Sequence, residues 1–374
     1  MVGIALLGAG IFAKTAHLPA IQACPTLDLK AIYSRSQKSA EDVASAAVSN
    51  SDSKSKPKPD VYFDALTPEA EDRSLDALLA REDIVGVIIA LPILSQPEVI
   101  RKAIEAGKHV LSEKPVAGDL DTAGGLVRWY DALPGQGGGG EGGKGKPFWG
   151  VAENFRYIDA LEYAAREIEG MIKSGGRLST FRLARYGWVA PGDKYLNTSW
   201  RKVPQYQGGF LLDGGVHFVA ALRMMLAAAG EEVGKLVGFS GLLEERLGPV
   251  DTVNAVAVTK GGKSGSITMS FGTEFKNGLE LEVVTTQGAV RFVESWPKRS
   301  VTSVRKNDKG EKVEEKKEFE FSIGVADEVA AWVVAMEKGV IEERQSPAEA
   351  MKDLEILQRL LESGEKGGEV KTIG

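Results

Sequence analysis

Asp213 and His217 lie four residues apart in Asp213-Gly-Gly-Val-His217, and a helix would place both side chains on one face. An imidazole can take or release a proton near neutral pH, and a neighbouring carboxylate orients the ring and raises its basicity. We predict that Asp213 caps a helix continuing through Phe218–Leu226, and that the paired glycines let a substrate approach the backbone. The alternative for a single histidine is a hydrogen-bonded core residue.

A lysine in a second segment could act on a carbonyl group. Glu113-Lys114-Pro115 follows the apolar run His109–Leu111, which is typical of a buried strand. Residues just beyond a parallel strand line the crevice where ligands bind. There the Lys114 ammonium could polarise a carbonyl and stabilise negative charge on its oxygen. The alternative is a solvated lysine before a turn-forming proline.

The chain begins with a pattern typical of dinucleotide binding. Gly8-Ala-Gly10-Ile11-Phe12-Ala13 has the form G-x-G-x-x-A between the apolar run Val2–Leu7 and a helical pattern. Gly8 would permit a tight turn, and Gly10 would let the backbone approach a pyrophosphate. The exposed N–H groups at the start of the helix, at Ile11 and Phe12, favour an anion.

The residues after the second apolar run predict which dinucleotide is bound. NAD-preferring folds place a carboxylate here to bond the ribose 2′-hydroxyl, but this chain has Ser34-Arg35-Ser36. Arg35 can pair with a 2′-phosphate, so we predict NADP(H) rather than NAD(H). The alternative is that Arg35 is an ordinary surface charge.

Two kinds of pattern divide the chain into an α/β domain at residues 1–151 and an α+β domain at residues 152–374. Short runs rich in Val, Ile and Leu alternate with helical patterns in the first, which predicts βαβ units and a doubly wound parallel sheet. Consecutive strand-like segments dominate the second and predict an antiparallel meander. These segments are Leu178–Trp188, Val233–Leu243, Thr252–Thr259, Ser264–Phe271, Leu279–Thr285 and Ala289–Val293.

Three polar stretches interrupt these patterns. The Ser/Lys/Pro-rich segment Ser49–Pro59 and the Gly-rich segment Pro134–Lys146 are predicted surface insertions. Charges of both signs interleave in Lys298–Glu318, which favours a solvated hairpin over a binding patch.

Composition excludes several classes of function. The net charge of −6 offers no general attraction to nucleic acid or to anionic lipid. A single cysteine and three histidines cannot build a Cys-rich or His-rich metal site, and no metal is expected. The longest apolar run, Ile84–Leu94, is too short to cross a bilayer. We expect a cytoplasmic protein, with the nucleus as the open alternative.

Together these motifs resemble the glucose–fructose oxidoreductase / inositol dehydrogenase / MocA family over nearly the whole chain. The resemblance also rests on Trp200-Arg201 and on Gly208-Gly-Phe-Leu-Leu-Asp213. Ala152–Tyr157 and Lys194-Tyr195 resemble a fungal NADP-dependent subgroup. The family implies a Rossmann domain followed by an α+β domain with a large, open, mainly antiparallel mixed sheet, through which a homodimer or homotetramer would form.

The resemblance also implies roles for individual residues. Lys114 would position the substrate and contact the nicotinamide ribose, and His217 would be the acid/base beside Asp213. The remaining cofactor contacts would come from Glu113, Trp200, Arg201, Leu91 and Pro92. Because many relatives have Thr-Pro-Asn at Leu91–Ile93, backbone contacts are expected there. Substrate hydroxyls would bond Asn154, Tyr157, Lys194 or Tyr195.

The predicted function is therefore NADP(H)-dependent hydride transfer between nicotinamide and a carbonyl or secondary alcohol, of a sugar or polyol. A reductase of aromatic or diol substrates would differ only in its pocket. The alternative from another class is a non-catalytic regulatory protein that senses NADP(H) on the same fold. The joint presence of Lys114, Asp213 and His217 favours catalysis.

Overall fold

The computed structural model describes residues 1–49, 57–64, 72–134, 146–340 and 342–374. They form two compact units, Met1–Glu153 with Val325–Met351 and Asn154–Gly324 with Lys352–Gly374. The chain passes from the first unit to the second after Glu153, close to the predicted boundary at residue 151. The prediction of a single boundary did not include the later return of the chain to the first unit. Most of both predicted insertions, Ser49–Pro59 and Pro134–Lys146, lies outside the described residues.

A six-stranded parallel sheet forms the centre of the first unit, with the strand order β3-β2-β1-β4-β5-β6. Every residue of the fourth strand is buried, as expected for strands covered by helices on both faces. The doubly wound α/β prediction is confirmed. The strands are Val2–Leu7 (β1), Leu27–Ser34 (β2), Asp60–Phe63 (β3), Gly86–Ile89 (β4), His109–Glu113 (β5) and Trp149–Ala152 (β6).

The helices of this unit begin at local signals. Asp119 caps its helix by accepting a 2.8 Å hydrogen bond from the Thr122 amide. Ser95-Gln-Pro-Glu98 has the sequence of a capping box, but Ser95 has helical backbone angles at the end of a 3₁₀ turn and its side chain accepts no capping bond. The helices are Leu18–Ala23 (α1, after a π-helical turn at Ala13–His17), Gln37–Ser49 (α2), Leu75–Leu79 (α3), Gln96–Glu105 (α4) and Leu120–Asp131 (α5).

The chain returns to the first unit through the helix Val325–Lys338 (α9). Val329 and Trp332 on α9 are buried in the same apolar cluster as Ile4 and Leu6 of β1. A Cβ added at Gly86 would lie 2.8 Å from the Trp332 ring, so the sheet needs a glycine there. Burial of this apolar helix face explains why α9 belongs to the first unit.

A nine-stranded sheet forms the second unit, in the order β14-β13-β12-β11-β7-β10-β9-β8-β15. Its neighbours pair antiparallel except for β7 and β10, which pair in parallel with Leu183 opposite Ile267. This confirms the mixed, mainly antiparallel sheet. The strands are Leu178–Tyr186 (β7), Val233–Gly241 (β8), Thr252–Thr259 (β9), Ser264–Ser270 (β10), Gly278–Thr285 (β11), Gly288–Ser295 (β12), Lys298–Lys306 (β13), Lys312–Glu320 (β14) and Lys371–Thr372 (β15).

Two long helices cover one face of this sheet. Asp159–Lys173 (α6) packs on β12, and Gly209–Ala228 (α8) packs on β10 and α6. By length and hydropathy α8 could cross a membrane, but 67% of its apolar window is buried, as in the core helix of a soluble protein. A short helix, Ser199–Lys202 (α7), precedes α8, and Pro347–Glu365 (α10) lies near the end of the chain.

Lys298–Glu318 forms the predicted hairpin, and the outer strand β14 is exposed along nearly its whole length. Two strands were not predicted from the sequence. β3 is only four residues long and follows a Pro-rich stretch, whereas β15 consists of two residues defined by their pairing with Leu236 and Lys235.

Candidate active site

The glycine turn lies between the ends of two other strands of the first unit. The Gly8 amide donates a 2.8 Å hydrogen bond to the carbonyl of Tyr33, the residue before Ser34 at the end of β2. On the other side, a Cβ at Gly8 would lie 2.2 Å from the carbonyl oxygen of Ala90, just after β4. With φ at +131° as well, this position accepts only glycine. The strand order reverses between β1 and β4, which is where dinucleotides bind in such sheets.

Gly10 differs from Gly8 in what surrounds it. A Cβ added at Gly10 would meet nothing within 4 Å, so the space in front of this backbone is open. Ile11 and Phe12 begin the helical segment directly after it. A closed glycine followed by an open one at a helix start fits a pyrophosphate held by backbone N–H groups.

Ser34 and Arg35 follow Tyr33, whose carbonyl accepts the hydrogen bond from Gly8, and Arg35 is exposed. The structure adds a carboxylate that the sequence analysis did not consider. Asp64, the residue after β3, accepts a hydrogen bond from the Tyr33 hydroxyl. Burial and this bond raise the pKa of the Tyr33 phenol, so it remains a donor. Positive and negative groups therefore both lie near the end of β2.

The next two strand ends supply the remaining predicted cofactor residues of this unit. Leu91 and Pro92 follow Ala90, the residue packed against Gly8, and both are half-buried. Glu113 ends β5, and the half-buried Lys114 follows it. Because β5 is the second strand from β1, the backbone of Lys114 lies about 10 Å from that of the glycine turn, measured across the strands.

A residue that the sequence analysis left without a role joins the same sheet edge. His17 is fully buried, and its Nε2 lies 2.6 Å from Oε1 of Glu113. The Phe12 ring meets the His17 ring edge-on, with 5.3 Å between centroids. The position of a histidine seven residues after Gly10 was visible in the sequence, but its partner in β5 was not.

The second unit places Asp213 and His217 on α8, with Asp213 buried and His217 half-buried. The prediction that Asp213 caps this helix is wrong. The cap is Gly208, which has left-handed backbone angles, and Asp213 lies a full turn inside the helix. Asp213 and His217 still share one face of α8, because they lie four residues apart in the helix.

The paired glycines also have a different role from the one predicted. A Cβ at Gly214 would lie 2.9 Å from the Phe271 ring, and one at Gly215 would lie 3.1 Å from Leu357. Side chains of the second unit thus fill the space beside both glycines. They permit close packing of α8 and do not open its backbone to a substrate.

Asp213 has a cationic partner that the sequence did not reveal. Oδ2 of Asp213 accepts a 2.6 Å hydrogen bond from Nε of Arg201. The Arg201 guanidinium lies over the Trp200 ring at 3.9 Å and near the Tyr195 ring at 5.5 Å. Three residues predicted to contact cofactor or substrate therefore form one cluster around Asp213.

Tyr206 borders this cluster and was missed by sequence analysis. Its hydroxyl is buried and has no hydrogen-bond partner within the described part of the chain. Burial and the nearby Asp213 carboxylate raise the pKa of this phenol, which keeps it protonated at neutral pH. It therefore offers a hydrogen bond that a ligand hydroxyl could use.

The segment before α6 contributes a ring to His217. Phe155 stacks on the imidazole with 4.8 Å between centroids and 19° between planes. Its neighbour Asn154 is buried and donates a 2.6 Å hydrogen bond to the Ile323 carbonyl, so part of this amide is used inside the unit. Tyr157 is buried and Lys194 is exposed. Their predicted contacts with substrate stay predictions.

Models of one protein family match two parts of the chain. A model of the GFO/IDH/MocA oxidoreductase family, with an NAD-binding Rossmann fold, matches residues 2–132. A model of the GFO/IDH/MocA C-terminal domain matches residues 166–291.

Individual relatives cover the chain from end to end. The chain is 46% identical to Dehydrogenase FPY6 of Fusarium mangiferae, over 100% of this chain and 99% of that protein. An oxidoreductase of Thermotoga maritima has a similar structure, with a TM-score of 0.78 and 24% identity over 100% of this chain and 98% of that one. KijD10, a 3-ketoreductase of Actinomadura kijaniata solved with NADP and TDP-benzene, gives a TM-score of 0.72 at 19% identity over 97% of both chains.

Proposed function

The chain belongs to the GFO/IDH/MocA oxidoreductase family, and we propose that it transfers hydride between NADP(H) and a carbonyl or secondary alcohol of a sugar or polyol. The observation that carries this proposal is the common sheet edge of the first unit. There the open backbone at Gly10 and the ammonium-bearing Lys114 follow strands two positions apart. The open backbone at Gly10 can bind the phosphates of a dinucleotide, and the Lys114 ammonium can stabilise the oxygen that changes charge in the reaction.

The residues present fit a nicotinamide dinucleotide. Backbone groups of Gly10, Ile11 and Phe12 would hold the pyrophosphate, Leu91 and Pro92 would lie along its path, and Arg35 would meet the adenosine end. When bound, the nicotinamide ring supplies or accepts the hydride. The dehydrogenase relative over the whole length of the chain supports this choice.

We assign different roles at the substrate oxygen to Lys114 and His217. During reduction both would stabilise negative charge on that oxygen, and His217 would deliver the proton. Asp213 would hold Arg201 on one side and support the histidine on the other, while Phe155 fixes the plane of the imidazole. Tyr195, Lys194 and the buried Tyr206 hydroxyl would bond substrate hydroxyls.

The direct test is loss of NADPH absorbance with a panel of ketoses, inososes and aldehydes, and its gain with NADP⁺ and the matching polyols. Turnover of at least one sugar or polyol is expected. Tight NADPH binding without turnover of any panel member would favour the sensing alternative, and no binding of either dinucleotide would refute the proposal.

Replacing Arg35 with alanine is expected to raise the Kd for NADPH about tenfold and leave the Kd for NADH nearly unchanged. A charge-assisted hydrogen bond is worth about 1.5–3 kcal/mol, and the exposure of Arg35 places it at the low end. Fluorescence titration measures both constants.

Lys38→Ala is the matched control, since Lys38 is an exposed cation nearby that pairs with Asp42 at 3.1 Å. Asp64→Asn should strengthen NADPH binding, because it removes a negative charge near the end of β2. Equal effects of R35A on both dinucleotides, or a wild-type preference for NADH, would contradict the NADP(H) assignment.

We further propose that two copies associate through the uncovered face of the large sheet. Val256 is 50% exposed there, and Arg182 and Glu280 form a 3.1 Å ion pair on the same face. A face that carries an exposed valine and charges of both signs can pair with its own copy. Sedimentation velocity should find a dimer or tetramer for the wild type and a shift toward monomer for Val256→Lys. Val313→Lys on the edge strand β14 is the control, and a monomeric wild type would refute the proposal.

A further inference from the structure

His17 connects two segments that the proposed function assigns to cofactor and substrate. It lies seven residues after Gly10, and its buried Nε2 reaches the carboxylate of Glu113, 96 residues later, at 2.6 Å. Its ring also meets Phe12 of the glycine turn. The other end of this connection is Lys114, the residue next to Glu113.

A π-helical turn places His17 at this point. The turn spans Ala13–His17, and the Leu18 amide closes it by donating to the carbonyl of Ala13, five residues earlier. Pro19 follows and has no N–H with which to continue a regular α-helical turn. Such single π turns insert one extra residue and are frequent at functional sites. The helix after the glycine turn is therefore irregular at the residue that contacts β5.

His17 contacts one of the two oxygens of the Glu113 carboxylate. With the proton on Nε2, the ring donates to the carboxylate in its neutral and in its charged form, and a separation of 2.6 Å is typical of charge-assisted pairs. Without that donor, a carboxylate at the edge of the sheet could turn toward the Lys114 ammonium or toward the phosphates. A carboxylate turned toward Lys114 would compete with the substrate oxygen for the ammonium, and one turned toward the phosphates would repel the cofactor.

We propose that His17 is a positioning residue, which holds the Glu113 carboxylate away from Lys114 and ties the glycine turn to the end of β5. This role rests on the proposed function for its effect on turnover. Its effect on the order of the segment Glu113–Gly118 needs no cofactor and can be measured separately.

Replacing His17 with leucine is expected to lower kcat on the order of 10²-fold and to weaken NADPH binding, because misplacement of a reacting group by about 1 Å has effects of this size. His17→Gln keeps an amide donor near the position of Nε2, so it should recover most of both losses. His17→Asn carries its amide one carbon shorter and should not. Hydrogen exchange of the cofactor-free protein should be faster over Glu113–Gly118 in H17L than in H17Q.

His109→Leu provides the matched control on the same strand. His109 opens β5, and its Nδ1 accepts a 3.0 Å hydrogen bond from the Phe148 amide, so H109L removes a histidine contact at the opposite end. We expect H109L to lower Tm without changing the Kd for NADPH or exchange at Glu113–Gly118.

The outcomes separate the two proposals. Equal changes in exchange, Kd and kcat for H17L and H109L, or no recovery in H17Q, would overturn the role of His17. If exchange is faster in H17L but the wild-type protein binds no dinucleotide, the positioning of Glu113 by His17 is supported and the proposed function is refuted. If H17L does not fold, the comparison of H17Q with H17N decides, since both are polar and differ in reach.

Discussion

Replacing His217 with alanine is expected to lower kcat by about 10²–10⁴-fold, the range associated with loss of a general acid or base. The imidazole is half-buried on α8 and stacked on Phe155, so its ring is held in one plane before substrate arrives. Its removal takes away the proposed proton donor and leaves the glycine turn of the other unit untouched. The Kd for NADPH should therefore stay within about twofold of the wild-type value. Steady-state kinetics and fluorescence titration on the same preparations measure both.

A second histidine serves as the control for this result. His109 is the first residue of β5, and His109→Ala should reduce thermal stability and leave kcat nearly unchanged. His217→Gln keeps a hydrogen-bonding group that does not titrate near neutral pH, so it should not restore kcat. Wild-type turnover in H217A would remove the imidazole from the mechanism.

Replacing Lys114 with alanine is expected to lower kcat by about 10²–10³-fold and to raise the substrate KM. A preorganised donor aimed at a developing oxyanion is typically worth this much. The rise in KM distinguishes Lys114 from His217, because the role proposed for the ammonium includes positioning of bound substrate. Stopped-flow measurement of a single turnover would show that the chemical step itself is slowed.

The control for Lys114 is an exposed lysine of the same unit. Lys102 on α4 pairs with Glu98 at 3.3 Å, and Lys102→Met should leave both kinetic constants unchanged. Lys114→Arg keeps the positive charge but spreads it over a planar group of different reach, so only partial activity is expected.

The double variant K114A/H217A tests whether the two groups act on one oxygen. If they do, its loss of kcat should be clearly smaller than the product of the two single losses, because groups that act as a unit are not additive. A full multiplicative loss would mean that the two side chains serve separate steps, and the shared role proposed for them would fall.

Much of the first unit followed from local sequence patterns. Uninterrupted apolar runs marked β1, β4 and β5, and the glycine spacing predicted the turn after β1. Such features depend on neighbouring residues alone, because strand burial and positive φ leave their signal within a few positions. β3 escaped detection since four residues beside a Pro-rich stretch carry too little pattern.

The candidate site followed from the sequence only as a set of residues. Asp213 and His217 were correctly placed on one helix, yet the cap at Gly208 and the packing role of Gly214 depend on Leu361 and Phe271, which are distant in the chain. The cluster of Arg201 with Asp213 was equally hidden, since a loop and a helix start intervene between them.

The sequence by itself determined the family, the βαβ order of the first unit and the identity of the polar groups at its strand ends. Only the tertiary structure decided that α9 returns to the first sheet, that β7 and β10 run in parallel, and that His17 binds Glu113. Each of these contacts joins segments far apart along the chain. Their stability comes from burial and from charge-assisted bonds formed when the chain folds, and no local periodicity records such partners.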